Sequence, residues 1–243
     1  MLIYYVRHGE PIYTPNQLTP LGRRQAEAVA KRVAHYGIDE VYASTSNRAI
    51  ETATPTCEIL GKQAILLDWI NESYAYGEMA VHVTEEKKAW VWVHPEYRDL
   101  FRSRELGLMN YQWYEHPALA KFDFGRGVRR IDVEADAWLA SLGYEHDREK
   151  GLYKVSTDDT EKRIALFAHE GAGKLFLSSI LDIPLPYFSS KFELSHTGVC
   201  VIYIDGKCGE YGHARLLTVS NDSHLYREGL PTKHRSTGLT LYY

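Results

Sequence analysis

The sequence predicts an α/β fold, a three-layer sandwich in which helices flank a largely parallel central sheet. Strand and helix patterns alternate along residues 2–67, and the alternation resumes near residue 163. The strand segments are short apolar runs, which suit burial on both faces of a parallel sheet. We therefore expect one α/β domain over residues 1–243, with a mainly helical insertion at about 77–145.

The first half of the chain contains three strand patterns separated by two helix patterns. Thr19 is a candidate N-cap for the first helix, with Pro20 at its first position and Gly37 at its end. Ser46 is a candidate N-cap for the second helix, in which Pro55 predicts a kink or a broken turn. The predicted strands are 2–6, 39–43 and 64–67, and the second helix runs to about residue 60.

The later strand and helix patterns follow a stretch, about 77–125, that shows no clear strand and is dense in Trp, Tyr and Phe. We expect these aromatic residues to pack as a core of their own, or to cover a site as a lid. Its basic residues either touch a second anionic group of a substrate or form a solvated helix face; they are Lys87, Lys88, Arg98, Arg102 and Arg104. The other predicted elements are a helix over 128–142, a strand over 164–168, a helix that stops at Pro184, and strands over 199–205 and 215–220.

Composition excludes several classes of protein. The net charge of −4 gives no basic field, so we expect no nucleic-acid partner and no anionic membrane partner. The three cysteines form no CxxC pair, and the eleven histidines form no HExxH or HxH cluster, so we expect neither a disulfide framework nor a metal site. No apolar run approaches the roughly 20 residues of a membrane helix, and Arg7 interrupts the first apolar segment. We expect a soluble cytoplasmic protein without a cofactor.

Charged side chains follow the predicted parallel strands, where ligand sites of such sheets lie. Arg7, His8 and Gly9 follow the first strand, and Arg48 begins the helix after the second. Glu72 follows the third strand. The late strand is followed by the sequence His-Glu-Gly at 169–171. Arginine forks and helix N-termini favour phosphate, a neutral histidine can act as a nucleophile, and a carboxylic acid can protonate a leaving oxygen.

These blocks together resemble the histidine phosphatase superfamily, in its phosphoglycerate mutase-like branch. The segments RHGE, LTPLGRRQA, STSNRAIETA and a late strand followed by HEG occur in that order, and only the insertion is without a match. The resemblance implies that His8 carries a phosphoryl group, that Arg7, Arg48 and His169 complete the phosphate pocket, and that Glu72 is the general acid. Gly9 beside the nucleophile and Gly171 at a helix start are further candidates for substrate binding.

The sequence departs from the family pattern in two places. Six positions after the histidine, where the family commonly has Asn, this chain has Thr14, which leaves Asn16 or Thr14 as candidates for a first-loop phosphate contact. The family motif after the acid survives only as Gly-Glu-Met at 77–79, so Glu78 and Glu170 remain alternatives to Glu72. His196, in LSHTG, either lines the pocket or, as we expect, has a structural or exposed role.

The resemblance implies hydrolysis of a small phosphomonoester without a metal. The alternatives are a phosphoglycerate mutase and a non-catalytic phosphate-binding protein. The histidine acid phosphatase branch fits poorly, because Pro11 and His-Glu stand where that branch has a second Arg and His-Asp. The sequence HEGAGK is not a P-loop, since Ala168 and Leu175 occupy positions that the P-loop pattern reserves for Gly and Ser or Thr. The substrate and the oligomeric state stay open.

Overall fold

The centre of the molecule is a six-stranded sheet that carries helices on both faces. A computed structural model of the chain describes residues 1–234 and 238–242. Four strands of the sheet run parallel and two antiparallel strands extend one edge, in the order β13-β11-β1-β10-β4-β5. The strands are β1 (Leu2–Arg7), β2 (Pro11–Ile12), β3 (Gln17–Leu18), β4 (Glu40–Ser44), β5 (Ala64–Leu67), β6 (Ala80–His82), β7 (Lys88–Trp90), β8 (Tyr144–Asp147), β9 (Leu152–Val155), β10 (Arg163–Ala168), β11 (Val199–Ile204), β12 (Tyr211–Gly212), β13 (Ala214–Asn221), β14 (Thr232–His234) and β15 (Leu239–Leu241).

The helices cover the sheet as the sequence predicts, and the α/β class is confirmed. α1 packs with α2 on one face, and α6 packs with α7 on the other. None of the helices in the described ranges combines the length and apolar character needed to cross a membrane. The helices are α1 (Pro20–Ala34), α2 (Asn47–Leu60), α3 (Glu72–Met79), α4 (Arg98–Arg102), α5 (Arg104–Leu108), α6 (Phe124–Ser141), α7 (Gly171–Ile180), α8 (Leu185–Lys191) and α9 (Ser223–Arg227).

Strand β1 shows why the sheet is apolar on both sides. Side chains alternate between the two faces of a strand. Ile3 and Tyr5 therefore join the core beneath α6 and α7, while Tyr4 and Val6 join the core beneath α1 and α2. Because both faces are covered, the end of β1 opens into the interior of the fold rather than into bulk water.

The predicted starts of the first two helices are correct, and two details differ. The Thr19 hydroxyl caps α1 by accepting from the Gly22 N–H at 2.9 Å. Ser46 stands at the N-cap of α2, but its hydroxyl makes no capping bond and instead accepts from Arg48. Of the kink or broken turn expected at Pro55, the broken turn is wrong, since α2 is one continuous element.

The insertion differs from the expectation in two ways. It contains a short antiparallel hairpin, β6–β7, within the stretch that showed no strand signal. Its aromatic residues also do not form a separate core. Trp92, Phe101 and Trp113 belong to the same buried cluster as Tyr5 of the central sheet. The β8–β9 hairpin after α6 was not predicted at all, and α6 begins four residues before the expected start at 128.

Candidate active site

Two histidines lie side by side where β1 and β10 end. The strands are parallel neighbours with Arg7 opposite Ala168, so the next residues, His8 and His169, emerge together. Their ring centroids are 5.3 Å apart, and both side chains are buried. The fold therefore places the two histidines, expected from separate halves of the sequence, in one pocket.

The orientation of His8 suits a nucleophile. Its Nδ1 lies 2.7 Å from the carbonyl oxygen of Gly9, which can only accept, so Nδ1 donates and the lone pair stays on Nε2. Burial lowers the pKa of His8 well below its ordinary value, and the nearby His169 and Arg7 act in the same direction. The imidazole is therefore neutral near pH 7 and has a lone pair available for attack.

His169 is held by β1 and β4. Its Nε2 lies 2.8 Å from the Ser44 hydroxyl at the end of β4, and its buried Nδ1 has no hydrogen-bond partner in the structure. The Tyr5 hydroxyl donates to the His169 carbonyl at 2.6 Å and accepts from its N–H at 3.1 Å. Burial lowers the pKa of His169, so the ring is neutral and its unpartnered Nδ1 is left for a ligand.

Arg7 is buried and shared between the pocket and Glu170. Its Nη1 forms an ion pair with Glu170 Oε2 at 2.9 Å, and its Nη2 lies 3.0 Å from His196 Nε2. The other carboxylate oxygen of Glu170 lies 3.1 Å from the ammonium group of the buried Lys174. Two cations thus hold Glu170, which makes it a poor candidate for the acid.

Arg48 approaches the pocket from the first turn of α2. Its Nη1 donates to Asn16 Oδ1 at 2.8 Å and to the Ser46 hydroxyl at 3.0 Å. The ring of Tyr13 lies 5.5 Å from its guanidinium carbon. Of the two first-loop candidates, Asn16 therefore reaches the arginine, whereas Thr14 is exposed.

Glu72 reaches the pocket as the first residue of α3. Its two carboxyl oxygens accept from the N–H groups of Gly171 and Ala172, each at 3.0 Å, at the start of α7. Burial raises the pKa of Glu72, against the opposing effect of these two hydrogen bonds and of Arg48 and Arg7. Glu78 instead forms a two-pronged ion pair with Arg130, at 2.7 and 2.8 Å. Glu72 is thus the carboxyl group best suited to carry a proton.

The glycines of the site are required by close packing. A Cβ on Gly9 would lie 2.5 Å from the carbonyl oxygen of Gly22. A Cβ on Gly22 would lie 2.2 Å from the carbonyl oxygen of Glu10. A Cβ on Gly171 would lie 2.3 Å from Cζ2 of Trp90. Gly9 therefore lets the histidine loop sit against α1, a packing role that the sequence did not predict.

His196 lies at the pocket, so the expectation of an exposed role is wrong. Its ring centroid lies 5.8 Å from that of His8, and its side chain is buried. The next residue, Thr197, has a left-handed φ of 56° and donates its N–H to the Arg7 carbonyl at 3.0 Å. The signal was the position of LSHTG just before β11, which is antiparallel to β1 and so begins where β1 ends.

The remaining histidines and basic residues of the sequence analysis lie elsewhere. His94, His116 and His146 bond to a carbonyl or to carboxylates outside the pocket. Residues 1–234 and 238–242 contain no group of three or more His, Cys, Asp or Glu side chains placed to hold a metal ion. The five basic residues of the insertion are exposed, and Arg98 and Arg102 pair with Asp99.

Comparison with known proteins confirms the resemblance inferred from the sequence. Residues 3–108 match the model of the histidine phosphatase superfamily (branch 1). A probable phosphatase of Schizosaccharomyces pombe is 26% identical over 107 residues, which cover 40% of this chain and 51% of the relative. The chain thus aligns with about half the length of that relative.

Solved structures share the fold across nearly the whole chain. The native structure of the mycobacterial glucosyl-3-phosphoglycerate phosphatase matches with a TM-score of 0.60 and 18% identity, over 90% of this chain and 98% of the other. A phosphoserine phosphatase from Entamoeba histolytica in complex with 3-phosphoglyceric acid matches with a TM-score of 0.57 and 17% identity. The match covers 92% of this chain and 98% of the other. The phosphoglycerate mutase-like architecture expected from the sequence is thereby confirmed.

Proposed function

We propose that this chain, whose residues 3–108 carry the histidine phosphatase superfamily model, is a phosphatase that hydrolyses a small phosphomonoester through a phosphohistidine on His8. The observation that carries the proposal is the hydrogen bond from His8 Nδ1 to the Gly9 carbonyl, which leaves Nε2 as the nucleophile. The names of the relatives support a phosphatase.

The first step is transfer of the phosphoryl group to His8. Arg7 and Arg48 neutralise the phosphate oxygens, and His169 donates a hydrogen bond from Nδ1 when a proton resides there. Nε2 of His8 attacks phosphorus in line with the leaving alkoxide. Glu72 gives its proton to that oxygen, so the P–O bond breaks as the P–N bond forms and the alcohol departs neutral.

The second step returns the enzyme to its starting state. Glu72, now a carboxylate, takes a proton from a water molecule, and the water oxygen attacks the phosphorus of phosphohistidine. The P–N bond breaks, its electron pair returns to Nε2, and inorganic phosphate leaves. The two N–H groups at the start of α7 hydrogen-bond both oxygens of Glu72, which keeps the carboxyl group in place through both steps. The proposed steps call on no metal ion or cofactor.

The test is phosphate release from a panel of phosphomonoesters, with a chelator present, for the wild type and His8→Ala. We expect turnover by the wild type only, and a phosphoenzyme that is labile in acid and stable in alkali after rapid quenching. A folded His8→Ala protein that releases phosphate at the wild-type rate would contradict the proposal. A requirement for a bisphosphorylated primer would identify the mutase, and tight phosphate binding without a phosphoenzyme would identify the binding protein.

A further inference from the structure

The side chain of Trp90 lies against the acid side of the pocket. The position of a Cβ on Gly171 is 2.3 Å from Cζ2 of Trp90 and 2.9 Å from Oε1 of Glu72, so the ring and the carboxyl group lie within about 5 Å of each other. Because Glu72 protonates the leaving oxygen in the proposed reaction, the alcohol part of the substrate comes to the end of the pocket where this ring lies.

Trp90 is a rigid part of an aromatic group. Its ring stacks on Trp92 at 4.7 Å with an interplanar angle of 17°, and Tyr76 meets it edge-on at 5.1 Å. The Tyr76 hydroxyl donates to the carbonyl of Lys88 at 2.8 Å, which ties the tyrosine to strand β7. Trp92 is buried, while Trp90 and Tyr76 remain partly exposed. The group therefore presents an apolar surface that is already ordered before a ligand binds.

The charges of the pocket balance one phosphate group. Arg7 and Arg48 reach the pocket, and Glu170 pairs with both Arg7 and the buried Lys174. If Glu72 carries the proton that the first proposed step requires and the histidines are neutral, Arg7, Arg48, Lys174 and Glu170 sum to two positive charges, which match a phosphate monoester dianion. A carboxylate on the alcohol part would lie beside Glu72 and the aromatic group, where it would lose hydration. The basic side chain of β7, Lys88, is exposed to solvent.

We infer, on the basis of the proposed function, that the substrate is the phosphate monoester of an uncharged alcohol with an apolar part, and that Trp90 is a specificity-determining residue that contacts this part. Tyr76 supports the same surface. Trp90 contacts only the alcohol part of the substrate, so the contacts of the phosphate group do not depend on it.

The experiment compares two esters whose alcohol parts differ in charge and polarity, benzyl phosphate and 3-phosphoglycerate. We expect the wild type to have a kcat/KM at least about tenfold higher for benzyl phosphate. Trp90→Ala should lower that value by about tenfold, mainly through KM. It should leave both the value for 3-phosphoglycerate and the inhibition constant of inorganic phosphate unchanged. Trp90→Phe keeps an apolar ring and should retain most of the preference.

Lys88→Ala serves as the matched control, because this exposed side chain is on the same strand two residues away. We expect Lys88→Ala to leave kcat/KM unchanged for both esters. A wild type that prefers 3-phosphoglycerate, or an equal loss on both esters in Trp90→Ala, overturns the inference. A selective loss of 3-phosphoglycerate turnover in Lys88→Ala also overturns it, since Lys88 would then hold a second anionic group.

A binding measurement separates this inference from the proposed function. Benzylphosphonate and phosphonoacetate resist hydrolysis, so their affinities need no turnover. Tighter binding of benzylphosphonate, lost in Trp90→Ala, supports the contact even if no ester is hydrolysed and the proposed function fails. Tighter binding of phosphonoacetate refutes the contact even if the protein is an active phosphatase.

Discussion

Replacing Gly9 by Ala should lower the rate about 100-fold in a protein that still folds. The new Cβ would lie 2.5 Å from the carbonyl oxygen of Gly22, about 1 Å closer than an ordinary contact, and both partners are backbone. The loop that carries His8 must therefore move by about 1 Å relative to α1. A misplacement of that size costs about 100-fold in rate, whereas overpacking of this kind costs about 1–3 kcal/mol in the free energy of unfolding.

The assay is kcat/KM for the best phosphomonoester, measured together with urea unfolding. Gly77→Ala is the matched control, because a Cβ there meets nothing within 4 Å and the residue is inside helix α3. That change should raise the free energy of unfolding by about 0.5–1 kcal/mol and leave kcat/KM unchanged. A folded Gly9→Ala protein with the kcat/KM of the wild type would refute the reasoning.

Three further changes address the acid, a neighbour of the second histidine and a distant buried histidine. Because burial raises the pKa of Glu72 above its ordinary 4.5, kcat/KM should fall as pH rises through that raised pKa, and Glu72→Gln should remove this limb from the pH profile. Ser44→Ala removes the partner of His169 Nε2 and should lower kcat roughly tenfold; an unchanged kcat would show that the hydroxyl does not hold the ring. Burial opposes protonation of His146, but hydrogen bonds to two aspartates outweigh it and raise its pKa above 6.5. Its stabilising contribution is therefore complete below 6.5 and is lost as pH rises through the folded-state pKa. The difference in unfolding free energy between wild type and His146→Gln should therefore shrink as the pH rises from 6.5 through that raised pKa.

The sequence predicted those pocket residues that come at the ends of parallel strands. Arg7, His8 and His169 each follow a strand directly, and the ends of parallel strands meet at one edge, so their order in the sequence was enough to bring them together. His196 was missed because it precedes its strand. Only the antiparallel direction of β11, which no residue pattern in VCVIYID reveals, brings the start of that strand to the same edge.

Contacts between residues distant in the sequence explain the other differences between prediction and structure. Ser46 has the sequence of an N-cap, but its hydroxyl is taken by Arg48, a partner set by the tertiary structure of the pocket. The tryptophans of the insertion have irregular spacing, so the sequence showed that they are buried but not against what. Trp92 in fact joins the core beneath the central sheet. The motif that supplied Gly9 carried no information about Gly22, whose backbone is the reason that residue 9 has no side chain.

The link between Thr197 and the end of β1 has a consequence for protein synthesis. Arg7 and its neighbour His196 are 189 positions apart, and the Thr197 N–H hydrogen-bonds the backbone beside His8. At ~5–20 residues per second, a ribosome needs on the order of ten seconds or more to add that segment. Throughout this time the emerged β1 lacks its partner β11, and the candidate site is incomplete. The first appearance of activity during translation would therefore report the arrival of the last strands of the sheet.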